Sequence, residues 1–201
     1  MGLIELHYEN GQTPLDEDEK DGLLIPSVTT RGELDELEQR NIEDAILWTV
    51  QRRRRFTATE ILTERFVREL HQKMLGDVWK WAGSFRQSNK NIGVDKYQVS
   101  VELRMLLDDC NFWIAQNAFP PDEIAIRFKH RIVSIHCFAN GNGRHSRLMG
   151  DMIAEKILGR EVFTWGAAGL VQQGEFRSNY LQALNAADNG NYYPLLKFAR
   201  S

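Results

Sequence analysis

Apolar residues recur at helical spacing along most of the chain. Leu34, Leu37, Ile42, Ala45, Ile46 and Val50 predict a helix over about 31–52. Thr30 followed by Glu33 is a capping-box pattern that would open it. Ile61, Leu62, Phe66, Leu70 and Met74 form one stripe over 59–76, with Gly76 as a natural stop. Further helices are predicted over 102–117, over 122–135 with Pro121 near the first turn, over 144–158 with Gly159 as stop, and over 174–187 and 192–199. The period shortens only after Trp79, where Ile92 and Val94, then Tyr97 and Val99, flank a turn near Asp95 and Lys96 and predict a β-hairpin. Residues 1–29 differ from the rest. Their acidic run Asp16–Asp21, with Gly22 and Pro26, predicts an extended arm carrying one short helix and otherwise solvated. The pattern as a whole is mainly α with one hairpin.

Composition narrows this further. A chain of 201 residues, 42% hydrophobic and 26% charged, has the makings of one large globular domain with a sizeable core. The formal net charge of -3 provides no global basic field for nucleic acid. The basic run Arg52–Arg55 reads as a solvated helix end favoured by the macrodipole. Two cysteines, Cys110 and Cys137, are too few for a disulfide scaffold and read as reduced thiols. No stretch approaches the roughly 18 apolar residues of a bilayer span, and the first residues lack the marks of a secretory leader, so the expectation is a soluble cytoplasmic protein.

Chemistry concentrates in His136-Cys-Phe-Ala-Asn-Gly-Asn-Gly-Arg-His-Ser-Arg147. An apolar helix ends near Ile135, a Gly-Asn-Gly turn follows, and a new helix opens at about Asn142. The first N–H groups of a helix have no internal partners, and Gly141 and Gly143 let the backbone approach a bound group closely, which makes an anion site. Arg144 and Arg147 sit three apart beside it and suit a polyphosphate better than a lone carboxylate. His136, with an unperturbed pKa near 6.5, is placed to be a general base. These are the parts of a phosphoryl or nucleotidyl transferase. His71, alone on its helix, reads as structural.

The segment resembles the signature of the Fic (Fido) family, His-x-Phe-x-(Asp/Glu)-Gly-Asn-Gly-Arg-x-x-Arg. His136, Phe138, Gly141, Asn142, Gly143, Arg144 and Arg147 match it. Seven fixed positions at ~1/20 each are met by chance about once in a billion windows. Trp81-Ala-Gly-x-x-Arg86 with Ile92-Gly93 resembles the lead into the family's flap. Arg177-x-x-Tyr180 through Pro194-Leu195 resembles its C-terminal helices. The layout is most similar to the small stand-alone members called mobile mystery protein B. The resemblance implies a Fic-type helical bundle over 31–201, with a β-hairpin flap beside the active-site loop and an N-terminal arm, 1–30, as a candidate regulatory element.

It also implies transfer of AMP from ATP, with Mg²⁺, to a Ser, Thr or Tyr hydroxyl of a target protein. His136 would be the base. Gly141, Asn142 and Gly143 would hold phosphates, Arg144 and Arg147 would neutralise the pyrophosphate, Tyr180 would contact the nucleotide, and Phe138 would anchor the loop. Ile92, Gly93, Val94, Tyr97 and Val99 would form the flap that docks the target by main-chain pairing. Two residues depart from the pattern. Cys137 replaces a proline and reads as a buried, inert thiol. Asn140 stands at the acidic metal position and would be a weaker Mg²⁺ ligand or a plain turn residue. Many members block their site with a helix bearing (Ser/Thr)-x-x-x-Glu-(Gly/Asn), whose glutamate pairs with the second arginine. Here the matches are partial: Thr29–Glu33 followed by Leu34, and Thr13–Glu17 followed by Asp18. Capping already explains Glu33, so little self-inhibition is expected. Transfer of another phosphate group (phosphoryl, UMP or phosphocholine) and a nucleotide-binding regulatory module with little catalysis remain as alternatives. The target, the oligomeric state and any regulatory partner are not legible.

Overall fold

A computed structural model of the chain describes residues 14–51, 55–166 and 173–201, without the side chains of 173–176. Thr13 and Arg52–Arg54, named above, lie outside the described residues.

Capping chemistry fixes where the helices begin. The short α1, Glu17–Lys20, opens at Asp16, and α2, Arg31–Gln51, opens at Thr30. The Thr30 N–H donates to Glu33 Oε2 at 3.1 Å, and the Glu33 N–H donates back to Thr30 Oγ1 at 3.3 Å, so the expected capping box is formed. The predicted 59–76 helix is two pieces, α3 Ala58–Ile61 and α4 Glu64–Leu75. Thr63 breaks the run because its hydroxyl caps α4, accepting from the Phe66 N–H at 3.1 Å. Then come α5 Val99–Gln116, α6 Pro121–Ile135 and α7 Asn142–Met152. A π-helical turn, Ile153–Ile157, ends the segment predicted as one helix to 158. The chain closes with α8 Gln173–Asp188 and α9 Tyr193–Ala199.

Helix α6 is central. Ile124, Ala125, Ile126, Phe128, Lys129, His130, Ile132 and Ile135 are buried around more than one face. It packs on α5 and α7, while α2 packs on α4 and α8 on α9. The mainly helical expectation is met.

The hairpin is not. Among the described residues, extended pairing is limited to one isolated antiparallel bridge, Leu23 with Trp79. Residues 86–98 are bends and turns, and Val99 is the first residue of α5, fully buried. Side chains replace the ladder. Asn89 Nδ2 donates to Asp95 Oδ2 at 2.9 Å, Asn89 Oδ1 accepts from the Lys96 N–H at 2.8 Å, and Asp95 Oδ1 accepts from the Tyr97 N–H at 2.9 Å. Alternation over four residues did not outweigh this local polar competition.

The part of the arm that is described is no solvated tail. Leu15 and Val28 are buried in the core. The Lys90 ammonium, its side chain only 3% exposed, meets Glu19 at 2.5 Å and Asp16 at 2.9 Å, and Ser88 bonds Asp16 as well. The Trp81 indole N–H donates to the Glu19 carbonyl at 2.9 Å. The acids of α1 thus fasten the turn-rich segment that follows Arg86.

Candidate active site

The site forms where α6 ends and α7 begins. His136 terminates α6 in the left-handed region, at φ 57° and ψ 62°. Gly141 caps α7 at φ 75°, and a Cβ there would stand 2.6 Å from Leu75 Cδ1, so both conformation and packing demand glycine. Gly143 is different. Nothing lies within 4 Å of where its Cβ would be. The open first turn of α7 therefore has room above it.

The loop between them is held from beneath. Phe138 is fully buried and stacks on His71 with ring centroids 3.7 Å apart, with His145 edge-on at 5.1 Å. His71 Nδ1 accepts from the Gly83 N–H at 3.0 Å, which leaves Nε2 as the donor to the Asn140 carbonyl at 3.0 Å. Burial pushes His71 well below the ordinary histidine value and His145 down to about 4, so both are neutral struts. His71 is structural, as expected, and what it supports is the loop itself.

Asn142 does not present its amide to the open space. Its Oδ1 accepts from the Phe138 N–H at 2.9 Å and its Nδ2 donates to the Phe138 carbonyl at 2.8 Å, closing the loop as a two-bond clasp. Asn140 is likewise engaged, since its Oδ1 accepts from the Gly141 N–H at 2.5 Å. One of the two lone pairs on the amide oxygen expected to meet a metal is engaged within the loop. No group of three His, Cys, Asp or Glu side chains is placed to hold a metal among the described residues. The donor set here is N–H groups and guanidinium, which fits an anion and does not fit a resident Mg²⁺.

His136 is 5% exposed. Burial first, then the positive charges of Arg86 and Lys90, bring its pKa down to about 4, against the raising effect of a hydrogen bond to the Val133 backbone. It is a neutral imidazole at pH 7 and able to accept a proton. Arg86 sets its backbone: the buried guanidinium donates from Nε to the His136 carbonyl at 2.6 Å and from Nη1 to the Ser88 carbonyl at 2.8 Å, and Nη2 bonds the Val94 carbonyl. Gly93, at φ 102°, lies against the base, because a Cβ there would stand 2.7 Å from His136 Cβ. The expected flap residues therefore divide. Gly93 and half-buried Val94 sit by the base, Ile92 and Tyr97 are exposed, and Val99 is core. Cys137 is buried and its thiol is pushed up to about 12, mainly by burial, so it is inert as expected.

The two arginines differ. Arg144 Nη2 meets Glu38 Oε2 at 2.6 Å, and Glu38 Oε1 accepts from the buried Trp79 indole at 2.7 Å. Glu38 is 2% exposed. Arg147 makes no ion pair among the described residues and lies over the Tyr180 ring, 5.9 Å from its centroid. Among the described residues, neither expected inhibitory glutamate pairs with an arginine. Glu33 accepts from the Thr29 and Thr30 N–H groups, and Glu17 pairs with Lys20 at 2.6 Å. Sequence reading missed Glu38, although the buried α2 residues Leu34, Glu38, Asn41, Ile42 and Ala45 put it on the core stripe. A lone carboxylate at an apolar register was the signal.

Comparison with known proteins points to one family. The Fic/DOC family model matches residues 61–154. The protein adenylyltransferase Fic of Aedes aegypti is 26% identical over 143 residues, covering 69% of this chain and 27% of that protein. The corresponding protein of Nematostella vectensis is 24% identical over 144 residues, covering 70% and 32%. The aligned stretch is thus about a third or less of these relatives' length. Among solved structures, Fic-1 of C. elegans (residues 134–508) superposes with a TM-score of 0.62 at 20% identity, covering 90% of this chain and 50% of that one. The BepC protein of Bartonella tribocorum, with bound AMPPNP, superposes with a TM-score of 0.63 at 14% identity, covering 92% and 97%. These two share the fold.

Proposed function

We propose that this chain, whose residues 61–154 form a Fic/DOC-family domain, transfers AMP from ATP to a Ser, Thr or Tyr hydroxyl of a target protein. One observation carries the reading: a neutral buried His136 stands beside the open N-terminus of α7, where Gly143 faces empty space and Arg147, whose charge acts on Asp151 one turn away, closes no ion pair among the described residues. His136 takes the proton of the target hydroxyl as that oxygen bonds to the α-phosphorus and the bond to the pyrophosphate breaks. The N–H groups of the first α7 turn and the Arg147 guanidinium receive the negative charge that accumulates on the leaving group. Arg144 joins them once it leaves Glu38. Asn142 acts through the loop it clasps, and Tyr180 through the arginine above it. Ile92 and Tyr97 present the exposed apolar surface for the target segment, with Gly93 keeping the approach to His136 low. Magnesium would supply neutralisation of the triphosphate charge and would have to arrive with the nucleotide, since the loop's N–H and guanidinium donors would not hold it.

The test is incubation with α-labelled and γ-labelled ATP and a lysate. Label retained from the α-phosphate supports AMP transfer. Label from γ alone means phosphorylation. A second reading, a nucleotide-binding module with little catalysis, is favoured by one pair of contacts: Glu38 on Arg144 and Asn140 on the Gly141 N–H already satisfy two anion donors. Binding without transfer of either label would establish it.

A further inference from the structure

Beneath Arg147 lies a buried polar group that the chemistry above does not use. Lys129 on α6 is fully buried, and its Nζ donates to Tyr180 Oη at 2.5 Å. The same Nζ lies 4.5 Å from the Tyr180 ring centroid and 6.0 Å from that of Trp165. Trp165 is held in the left-handed region at φ 53°, with its indole N–H donating to Asp151 at 3.0 Å. A non-glycine residue in that region persists only where its surroundings fix it. Asp151 and Arg147 both belong to α7, one helical turn apart. Three segments, α6, α7 and α8, therefore meet at the base of one arginine.

We propose that Lys129 is a positioning residue for Arg147: by anchoring the Tyr180 hydroxyl, it fixes the ring on which the guanidinium rests and so aims Arg147 at the outer phosphates of a nucleotide. This rests on the nucleotide reading of the site. Its physical basis is that the far end of Tyr180 could otherwise swing about Cβ, whereas a hydroxyl tied to a fully buried amine, with Phe198 packed on the ring at 5.3 Å, leaves the ring face in one place. Burial, and then the Arg147 charge itself, push Lys129 well below the ordinary lysine value. A weakened tendency to carry charge lessens the amine's repulsion of the guanidinium above it. Arg147 is then the cation that the anion meets, held by a cation–π contact at the outer limit of its range and free to move toward a phosphate.

The experiment compares ATP, pyrophosphate and AMP binding by calorimetry in the wild type, in Lys129→Gln and in the double variant Lys129→Met with Tyr180→Phe. The double variant removes both ends of the hydrogen bond and leaves no buried polar atom unpartnered, so it is expected to fold, and thermal unfolding checks that. Its ATP and pyrophosphate affinities should fall by about three- to tenfold, the worth of one net hydrogen bond, while AMP affinity stays within error, because AMP lacks the outer phosphates. Lys129→Gln, which still donates to Tyr180, should restore most of the loss. Unchanged ATP affinity in the folded double variant overturns the proposal, as does an equal fall for ATP and AMP, which would mark a general packing defect. A wild type that binds ATP no better than AMP overturns it too. A wild type that binds ATP tightly yet transfers nothing overturns AMP transfer and leaves this inference standing.

Discussion

Replacing Glu38 by Gln should tighten ATP binding. In the resting chain Arg144 faces a choice between the Glu38 carboxylate, 2.6 Å away, and any phosphate at the head of α7. Two unit charges about 4 Å apart at an effective dielectric near 20 attract by about 4 kcal/mol, and desolvation cancels much of that. A net value of about 1.5–3 kcal/mol is typical for a charge-assisted bond of this kind. Glutamine keeps the shape but has a single acceptor oxygen; with that oxygen on the Trp79 indole, its amide nitrogen faces Arg144 and the charge-assisted bond is lost. The loss of about 1.5–3 kcal/mol should raise ATP affinity by about tenfold or more. Calorimetric titration at fixed salt reads it, with AMP as the control. ATP affinity that is unchanged or weaker, in a variant whose Tm lies within about 2 °C of wild type, would refute the competition and mean that Glu38 instead holds Arg144 in its working position.

Three further outcomes follow from the site. His136→Ala should remove transfer, with a rate loss of about 10²–10⁴, and leave ATP affinity unchanged; in the wild type the acid limb of kcat/KM should fall near pH 4, where His136 titrates, rather than near 6.5. His71, His136 and His145 are all held below their unfolded values, so the unfolded chain binds more protons as pH drops below about 6.5, and stability should decline from there down to about pH 4 by at most about 1.4 kcal/mol per unit for each histidine; a flat thermal midpoint across that window would contradict it. Gly93→Ala puts a methyl 2.7 Å from His136 Cβ at φ 102° and should impair transfer far more than ATP binding, which a label-transfer assay beside calorimetry would show.

Much of the fold was legible because helical periodicity is a long-range signal. Seven of the helices follow stripes that repeat over several turns, and the α2 cap could be read from two residues. The same logic failed at 92–99, where four apolar residues in alternation carried too little information against Asn89, Asp95 and Arg86, side chains that satisfy the backbone without a partner strand. In the site, His136, Gly141 and Arg147 were readable because their type and spacing carry the chemistry. Asn142 and Asn140 were named as site residues; that each amide also bonds its own loop is something residue type and spacing do not reveal. Glu38 lies 106 residues from Arg144, and Lys129 lies 51 residues from Tyr180. Pairings that remote leave no local pattern.

The Arg86 clamp has a consequence for how such a site diversifies. A β-ladder ties every residue to a register, so an inserted or deleted position turns all later side chains to the opposite face. Here one guanidinium grips the carbonyls of His136, Ser88 and Val94, and an asparagine–aspartate pair closes the turn. Ile92 within that span and Tyr97 just past it are exposed, with no register to preserve. Exposed positions are thereby uncoupled from those that hold the His136 backbone. On the function proposed above, exchange at these two positions would alter which target is recognised and leave the clamp on His136 in place, a division of labour that would let specificity drift while the chemistry stays put.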